Sequence, residues 1–356
     1  MSYSNKKVNT VAQNESVYLE TVNKWLKNNT FSCLNFANLE KLFLAKKEKT
    51  ISLVIPTLNE ENTVGYILEK IILELNKEYK ILDEIIVIDG GSSDNTIKIV
   101  ENLSVKYPVL KFVDESTVLT DYKCKKGKGN QLWRGLYYST SDIVLYCDSD
   151  IRNFDIQMIY GMIGPLLLHD VQFIKGFYER PLIINKNVKK NNEGGRVTEL
   201  CARPMLNLLY PELSGFIQPL GGEYGGYRTI LENIEYTTGY GVESNILIDI
   251  LEKYGLSTMG QVDLLKREHR HQNTNALSKM SFIIINIILR KHTNSKLHSN
   301  LLMKKFDKQI NAYEKNNIFI NNEVNDYFTF HGDIHDEILP TLDSLKNEKM
   351  IVSNFL

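Results

Sequence analysis

The chain has 356 residues, 43% of them hydrophobic, enough for one large domain or two smaller ones with substantial buried cores. Its 42 Lys and Arg against 43 Asp and Glu leave a formal charge of -1, which excludes a global field drawing nucleic acid or an anionic membrane; an anionic ligand must meet a local basic site. Cys33, Cys124, Cys147 and Cys201 stand far apart without a C-x-x-C spacing, which argues against a zinc ribbon or a secreted disulfide framework and for a reducing cytoplasm.

Residues 1–49 read as a helical, charged lead-in ending at "LAKKEKT", without the apolar core of a signal peptide. From Ile51 the pattern alternates. Short β-branched runs, "ISLVI", "EIIVI" and "DIVLY", are separated by segments of helical spacing such as "ENTVGYILEKIILEL" and "SDNTIKIVENL". Such alternation predicts an α/β fold with a mostly parallel central sheet flanked by helices. Ligands of open α/β sheets sit beyond the C-terminal ends of the strands. Pro56–Glu61, Asp89–Asp94 and Asp148–Asp150 all fall at such ends, so three loops are expected to converge on one crevice.

The α/β half spans 50–178, and a second half, 179–275, completes the domain. Within it, "NKNVKKNNEGG" (185–195) reads as a polar loop before a helix, "VTELCARPMLNLLY", and glycine concentrates in "LGGEYGGY" and "GYGVE". Residues 276–356 read as a helical C-terminal extension. Its longest apolar run, "SFIIINIIL" (281–289), falls far short of the roughly 20 residues of a membrane span and predicts a buried helix.

Asp148 and Asp150 alternate at a strand end, so both side chains project the same way. Hard Mg2+ or Mn2+ takes one or two such carboxylates plus phosphate oxygens; a solvated strand end accounts for the pair as well. In "KCKKGKGNQLWRG" (123–135), four lysines and two glycines precede a helix, either a phosphate-binding loop or a solvated basic one. It lacks the spacing of a P-loop. "GGRVTEL" (194–200) puts Arg196 in a first helical turn, where the helix dipole disfavours a cation unless an anion lies between them. An ordinary glycine-led helix start is the plainer account. Glu243 at a helix start and His269 in "LLKREHRHQ" are weaker candidates, since acids at helix starts and lone histidines are common for structural reasons.

Together these segments resemble the glucosyl-3-phosphoglycerate synthases, retaining glycosyltransferases of the GT-A fold. "IPTLNEENT", "IDGGSSDNT", "GKGNQLWRG" and "CDSDIRNF" are shared widely among GT-A enzymes. The narrower likeness lies in "VQFIKGFYERP", "GGRVTEL", "PELSGFIQPLGGEYGGYR", "GYGVE" and "REHRH". The resemblance implies that Pro56, Leu58, Glu60, Asp89, Ser92, Lys128, Asp148, Ser149 and Glu243 bind a nucleotide sugar. It makes Asp150 and His269 the ligands of a divalent metal, Mg2+ or Mn2+, and Gly195, Arg196 and Thr198 the cradle for the acceptor's phosphate. Asp150, Glu243 and Lys128 would carry catalysis.

The implied reaction moves glucose from UDP-glucose, or another nucleoside diphosphate glucose, to 3-phosphoglycerate with retention. A mannosyl-3-phosphoglycerate synthase, another GT-A transferase and a nucleotide-sugar sensor are the rivals. No nucleic acid or membrane partner is expected. Homodimers are common among such enzymes, and the apolar C-terminal segments would serve as an interface or as core.

Overall fold

The computed structural model describes residues 18–180, 182–185, 188–190, 195–268, 273–294, 300–304, 328–333 and 336–346. Its centre is an eight-stranded sheet, with strands labelled in chain order β1 (Thr30–Ser32), β2 (Ile51–Thr57), β3 (Glu84–Asp89), β4 (Leu110–Asp114), β5 (Ile143–Tyr146), β6 (Phe173–Glu179), β7 (Tyr224–Tyr227) and β8 (Met259–Lys266). The spatial order is β1-β8-β6-β7-β5-β2-β3-β4. All neighbours are parallel except β7, which runs against both β5 and β6.

Every residue of β2 and β3 is buried, as an apolar run must be when helices cover both faces of a parallel sheet. Along β2 the side chains alternate: Leu53 and Ile55 join one core, with helix Val64–Leu75, while Val54 joins the other, with Trp133 and Leu136. The helix Val64–Leu75 buries Val64, Ile67, Leu68, Ile71, Ile72 and Leu75, the stripe its helical spacing predicts. The reversed β7 is read less easily from sequence because Gly225 and Gly226 carry no side-chain pattern. They are glycine for contact: a Cβ on Gly225 would strike Val144 O, and one on Gly226 would strike Gln172 O.

The lead-in and the tail depart from the helical expectation. Helical residues 18–29 and Leu39–Lys46 flank β1, which extends the sheet beside β8 in the register Thr30 to Gln261, Phe31 to Val262 and Ser32 to Asp263. Trp25 anchors this segment by donating from Nε1 to Met259 O at 2.8 Å. Three residues are too few for a period-two pattern, so only tertiary pairing makes them a strand.

In the tail, Thr274–Thr293 is the long helix expected, and Ile283, Ile284, Ile287 and Ile288 are buried inside the chain. After it the described backbone includes an antiparallel pair, Asn300–Lys304 with Phe328–Asp333, and Ile338–Leu339 paired with Tyr236–Thr237. The tail is therefore mixed rather than all-helical. Part of the 185–195 segment read as a loop is likewise strand, since Leu182–Asn185 pairs antiparallel with Val188–Lys190. Among the described residues no helix is long and apolar enough to cross a membrane.

Candidate active site

The three strand-end loops converge because polar side chains stitch them together. Asp89, at the end of β3, accepts from Gly91 N and Ser92 N at Oδ2 (2.9 and 2.7 Å) and from Ser92 Oγ and Thr57 Oγ1 at Oδ1 (2.6 and 3.0 Å). Ser92 Oγ in turn accepts from Asn59 N at 2.8 Å. Ser149 ties the third loop to the first by donating from Oγ to Pro56 O at 2.7 Å, and Thr63 Oγ1 donates to Ser149 O at 2.6 Å.

A cavity of about 560 Å³ opens above these ends. Of the residues nominated from sequence, Pro56, Leu58, Glu60, Lys128, Asp148, Ser149, Asp150, Gly195, Arg196, Thr198 and Glu243 all line it. Asp89 and Ser92 stand outside its wall, with the Asp89 carboxylate engaged in holding the loop. His269 lies outside the described residues.

The floor of the cavity is a network of opposed charges. Lys128, at the start of helix Lys128–Tyr138, reaches Asp148 Oδ1 at 2.6 Å and Glu243 Oε1 at 2.9 Å. Arg267, just past the end of β8, reaches Asp148 Oδ2 and Asp150 Oδ1, each at 2.8 Å, from its Nη2 atom. Its Nη1 donates to both oxygens of Glu223 (2.7 and 2.8 Å) and to the Tyr178 hydroxyl (2.8 Å). Burial alone would favour a protonated Asp148, but Lys128 and Arg267 outweigh it and hold the carboxyl well below the usual carboxylate range. Burial likewise opposes charge on Lys128, yet Asp148 and Glu243 keep its ammonium well above the usual lysine range.

Asp148 owes its seat to a glycine, since a Cβ on Gly222 would overlap its carboxylate. The turn carrying Gly222 is gripped from beneath by Lys175 on β6, which donates from Nζ to Gly221 O and lies 4.2 Å from the centre of the Tyr224 ring. Burial lowers Lys175 to about 7, against the pull of Glu243. Arg267, Glu223 and Lys175 were not singled out in sequence. The one available signal was their place inside the narrow motifs "VQFIKGFYERP", "LGGEYGG" and "REHRH", which marks a segment but not a role.

The lining from Gly195 to Thr198 is built differently. Gly195 enters it with φ +77°, a backbone conformation that suits glycine. Thr198 opens a π-helical turn, Thr198–Ala202, that runs into helix Arg203–Leu209, so the expected plain helix has a widened first part. Thr198 is buried and Arg196 exposed. Arg180, from the end of β6, lines the same side.

Hard oxygen ligands, convergent and partly open, suit Mg2+ or Mn2+ with phosphate oxygens completing the shell. Asp148 and Asp150 meet at one nitrogen of Arg267, and the Asp150 side chain is 33% exposed toward the cavity. The donor set therefore fits a divalent cation. No group of three His, Cys, Asp or Glu that would hold a metal without help occurs among the described residues.

Comparisons with known proteins place the chain in a family. Residues 52–193 match the model of glycosyl transferase family 2. The glucosyl-3-phosphoglycerate synthase of Petrotoga mobilis is 43% identical over 265 residues, covering 74% of this chain and 80% of that protein. Its counterpart from Mycolicibacterium smegmatis is 39% identical over 269 residues, 75% of this chain and 86% of that one. The Mycobacterium tuberculosis glucosyl-3-phosphoglycerate synthase, in complex with Mn2+, UDP and glucosyl-3-phosphoglycerate, matches with a TM-score of 0.70 at 32% identity over 86% of this chain and 96% of that one. Mannosyl-3-phosphoglycerate synthase from Rubrobacter xylanophilus matches with a TM-score of 0.74 at 32% identity, covering 91% and 98%. The chain therefore belongs to the glucosyl-3-phosphoglycerate synthase family and carries its GT-A fold.

Proposed function

We propose that the protein transfers glucose from UDP-glucose to the 2-hydroxyl of 3-phosphoglycerate, giving glucosyl-3-phosphoglycerate, in a reaction that requires Mg2+ or Mn2+. The observation that carries this reading is a single cavity lined both by the Asp148–Asp150 pair, Lys128 and Glu243 and by Gly195, Arg196 and Thr198. One cavity thus brings together the groups nominated for two anionic substrates. The M. tuberculosis relative has been crystallised with Mn2+, UDP-glucose and phosphoglyceric acid, which supports the same pairing here.

Asp150, with Asp148 beside it and His269 nominated from sequence, would hold the metal. When bound, the ion supplies Lewis-acid neutralisation of the charge that grows on the departing diphosphate. Lys128, kept protonated by Asp148 and Glu243, stands ready to share that charge. Glu243, buried at the start of helix Val242–Tyr254, would accept from hydroxyls of the sugar. Arg196 and the backbone amides near Gly195 fix the acceptor's phosphate, and the gain is chiefly proximity and orientation of the attacking hydroxyl. Retention follows by a same-face route in which the leaving diphosphate takes the hydroxyl proton; trapping a glycosyl-enzyme would refute it.

The match to a mannosyl-3-phosphoglycerate synthase favours a second reading, in which the donor is a mannose nucleotide. Product identification after incubation with 3-phosphoglycerate and either UDP-glucose or GDP-mannose, with and without EDTA, separates the two. Glucosyl-3-phosphoglycerate formed only without EDTA is expected. EDTA-insensitive turnover would sink the metal requirement, and mannosyl product alone would replace the donor. A cytoplasmic location, supported by four unpaired cysteines, belongs to this reading. So does a homodimer, which light scattering tests; the buried isoleucines of Thr274–Thr293 are already consumed within the chain and supply no interface.

A further inference from the structure

Arg267 occupies the point between the two aspartates that a cation needs. Its Nη2 is 2.8 Å from an oxygen of each, and its Nη1 is locked to Glu223 and Tyr178. The arginine side chain is 3% exposed and that of Glu223 is 0% exposed, so moving the guanidinium away altogether would strand a buried carboxylate. Lys128 meanwhile holds the other oxygen of Asp148. Two cations, Lys128 and Arg267, thus partly compensate the carboxylates of Asp148, Asp150, Glu223 and Glu243 from within the protein before any ligand arrives.

We propose that Arg267 is the resident counter-cation of the aspartate pair, suppressing capture of a bare divalent ion so that the ion is taken up together with the donor's diphosphate. A hydrated ion arriving alone must displace charge-assisted hydrogen bonds and gains at most two carboxylates that already share cations with the protein. An ion arriving with a diphosphate brings negative charge and oxygen ligands of its own. Arg267 remains paired with Glu223 in either case, which makes it a fixed device of the site. The inference rests on the metal reading above, and its test keeps the two separable.

The test is a Mn2+ titration of the full chain, read from the electron paramagnetic resonance signal of the free ion, with and without UDP. Wild-type protein is expected to bind Mn2+ at least about tenfold more tightly with UDP than without it. Arg267→Gln combined with Glu223→Gln removes both buried charges together. This double variant should tighten binding of Mn2+ alone by about tenfold and narrow the dependence on UDP by the same factor. Arg267→Lys, which keeps the charge but loses the fork, should move the same way by less, and serves if the double variant fails to fold.

Wild-type protein that binds bare Mn2+ as tightly as Mn2+ with UDP overturns the proposal. So does a folded variant whose affinity for bare Mn2+ is unchanged or weaker; in either case the metal reading stands. Absence of Mn2+ binding to wild-type protein even with UDP overturns both.

Discussion

The cavity is lined by two sets of residues, a wall at the strand ends and a wall at Gly195–Thr198, which in the proposed reaction each hold an anionic substrate by different means. The wall at the sheet is rigid by construction: Asp148 and Asp150 follow β5, Arg267 follows β8, and Lys128 joins Asp148 to Glu243. Each charged group there meets an opposite charge from a distant part of the chain. The wall at Gly195–Thr198 is made of a glycine in a left-handed conformation, a π-helical turn and an exposed arginine. In the proposed reaction electrostatic pre-organisation belongs to the first wall, where charge would develop at the leaving group, and the second would only have to orient an acceptor.

That contrast predicts unequal responses to mutation. Asp150→Ala removes the proposed ligand for the metal from the rigid wall and should lower kcat by at least about a hundredfold, because Lewis-acid stabilisation contributes several kcal/mol. Circular dichroism should stay native, since Asp150 makes one exposed-side contact with Arg267. Turnover within a few-fold of wild type would erase the distinction between the walls.

Arg196→Ala should act mainly on KM for 3-phosphoglycerate, raising it about 10- to 100-fold through loss of one charge-assisted contact of roughly 1.5–3 kcal/mol. The KM for UDP-glucose should hold steady. A rise in both, measured by initial rates at saturating co-substrate, would mean that the walls are not independent.

A further effect concerns stability and sharpens the account of the rigid wall from beneath. Lys175 sits at about 7 in the folded protein against 10.5 for a free lysine. Between those values the unfolded chain binds the extra proton, so stability should rise with pH through that window and carry the full penalty below about pH 7. Lys175→Met removes the penalty. Its stability relative to wild type should therefore be most favourable near neutral pH and decline toward about pH 9.5, in urea unfolding at both conditions. A difference that does not vary with pH would show that Lys175 is not held uncharged by burial.

Much of the fold was legible because its signals are local. β-branched runs marked β2, β3 and β5, and helical spacing marked the helices between them. The same locality failed at β1, three residues long, and at β7, whose "YGGY" has no side-chain alternation to read. It failed also in the tail, where short strands find partners only by pairing with distant segments.

For the site, the sequence by itself determined which residue types stand at the strand ends: two aspartates after β5, a lysine-glycine loop before a helix, and a glycine-led arginine. Composition and spacing along a few residues suffice for that. The tertiary structure alone decided that Arg267 sits between Asp148 and Asp150, 119 and 117 residues away, with Glu223 behind it, 44 residues away. The chain has many arginines and carboxylates, and no short-range rule pairs them. Their partnership follows from the order β8-β6-β7-β5, which draws the end of β8, the turn before β7 and the end of β5 to one point.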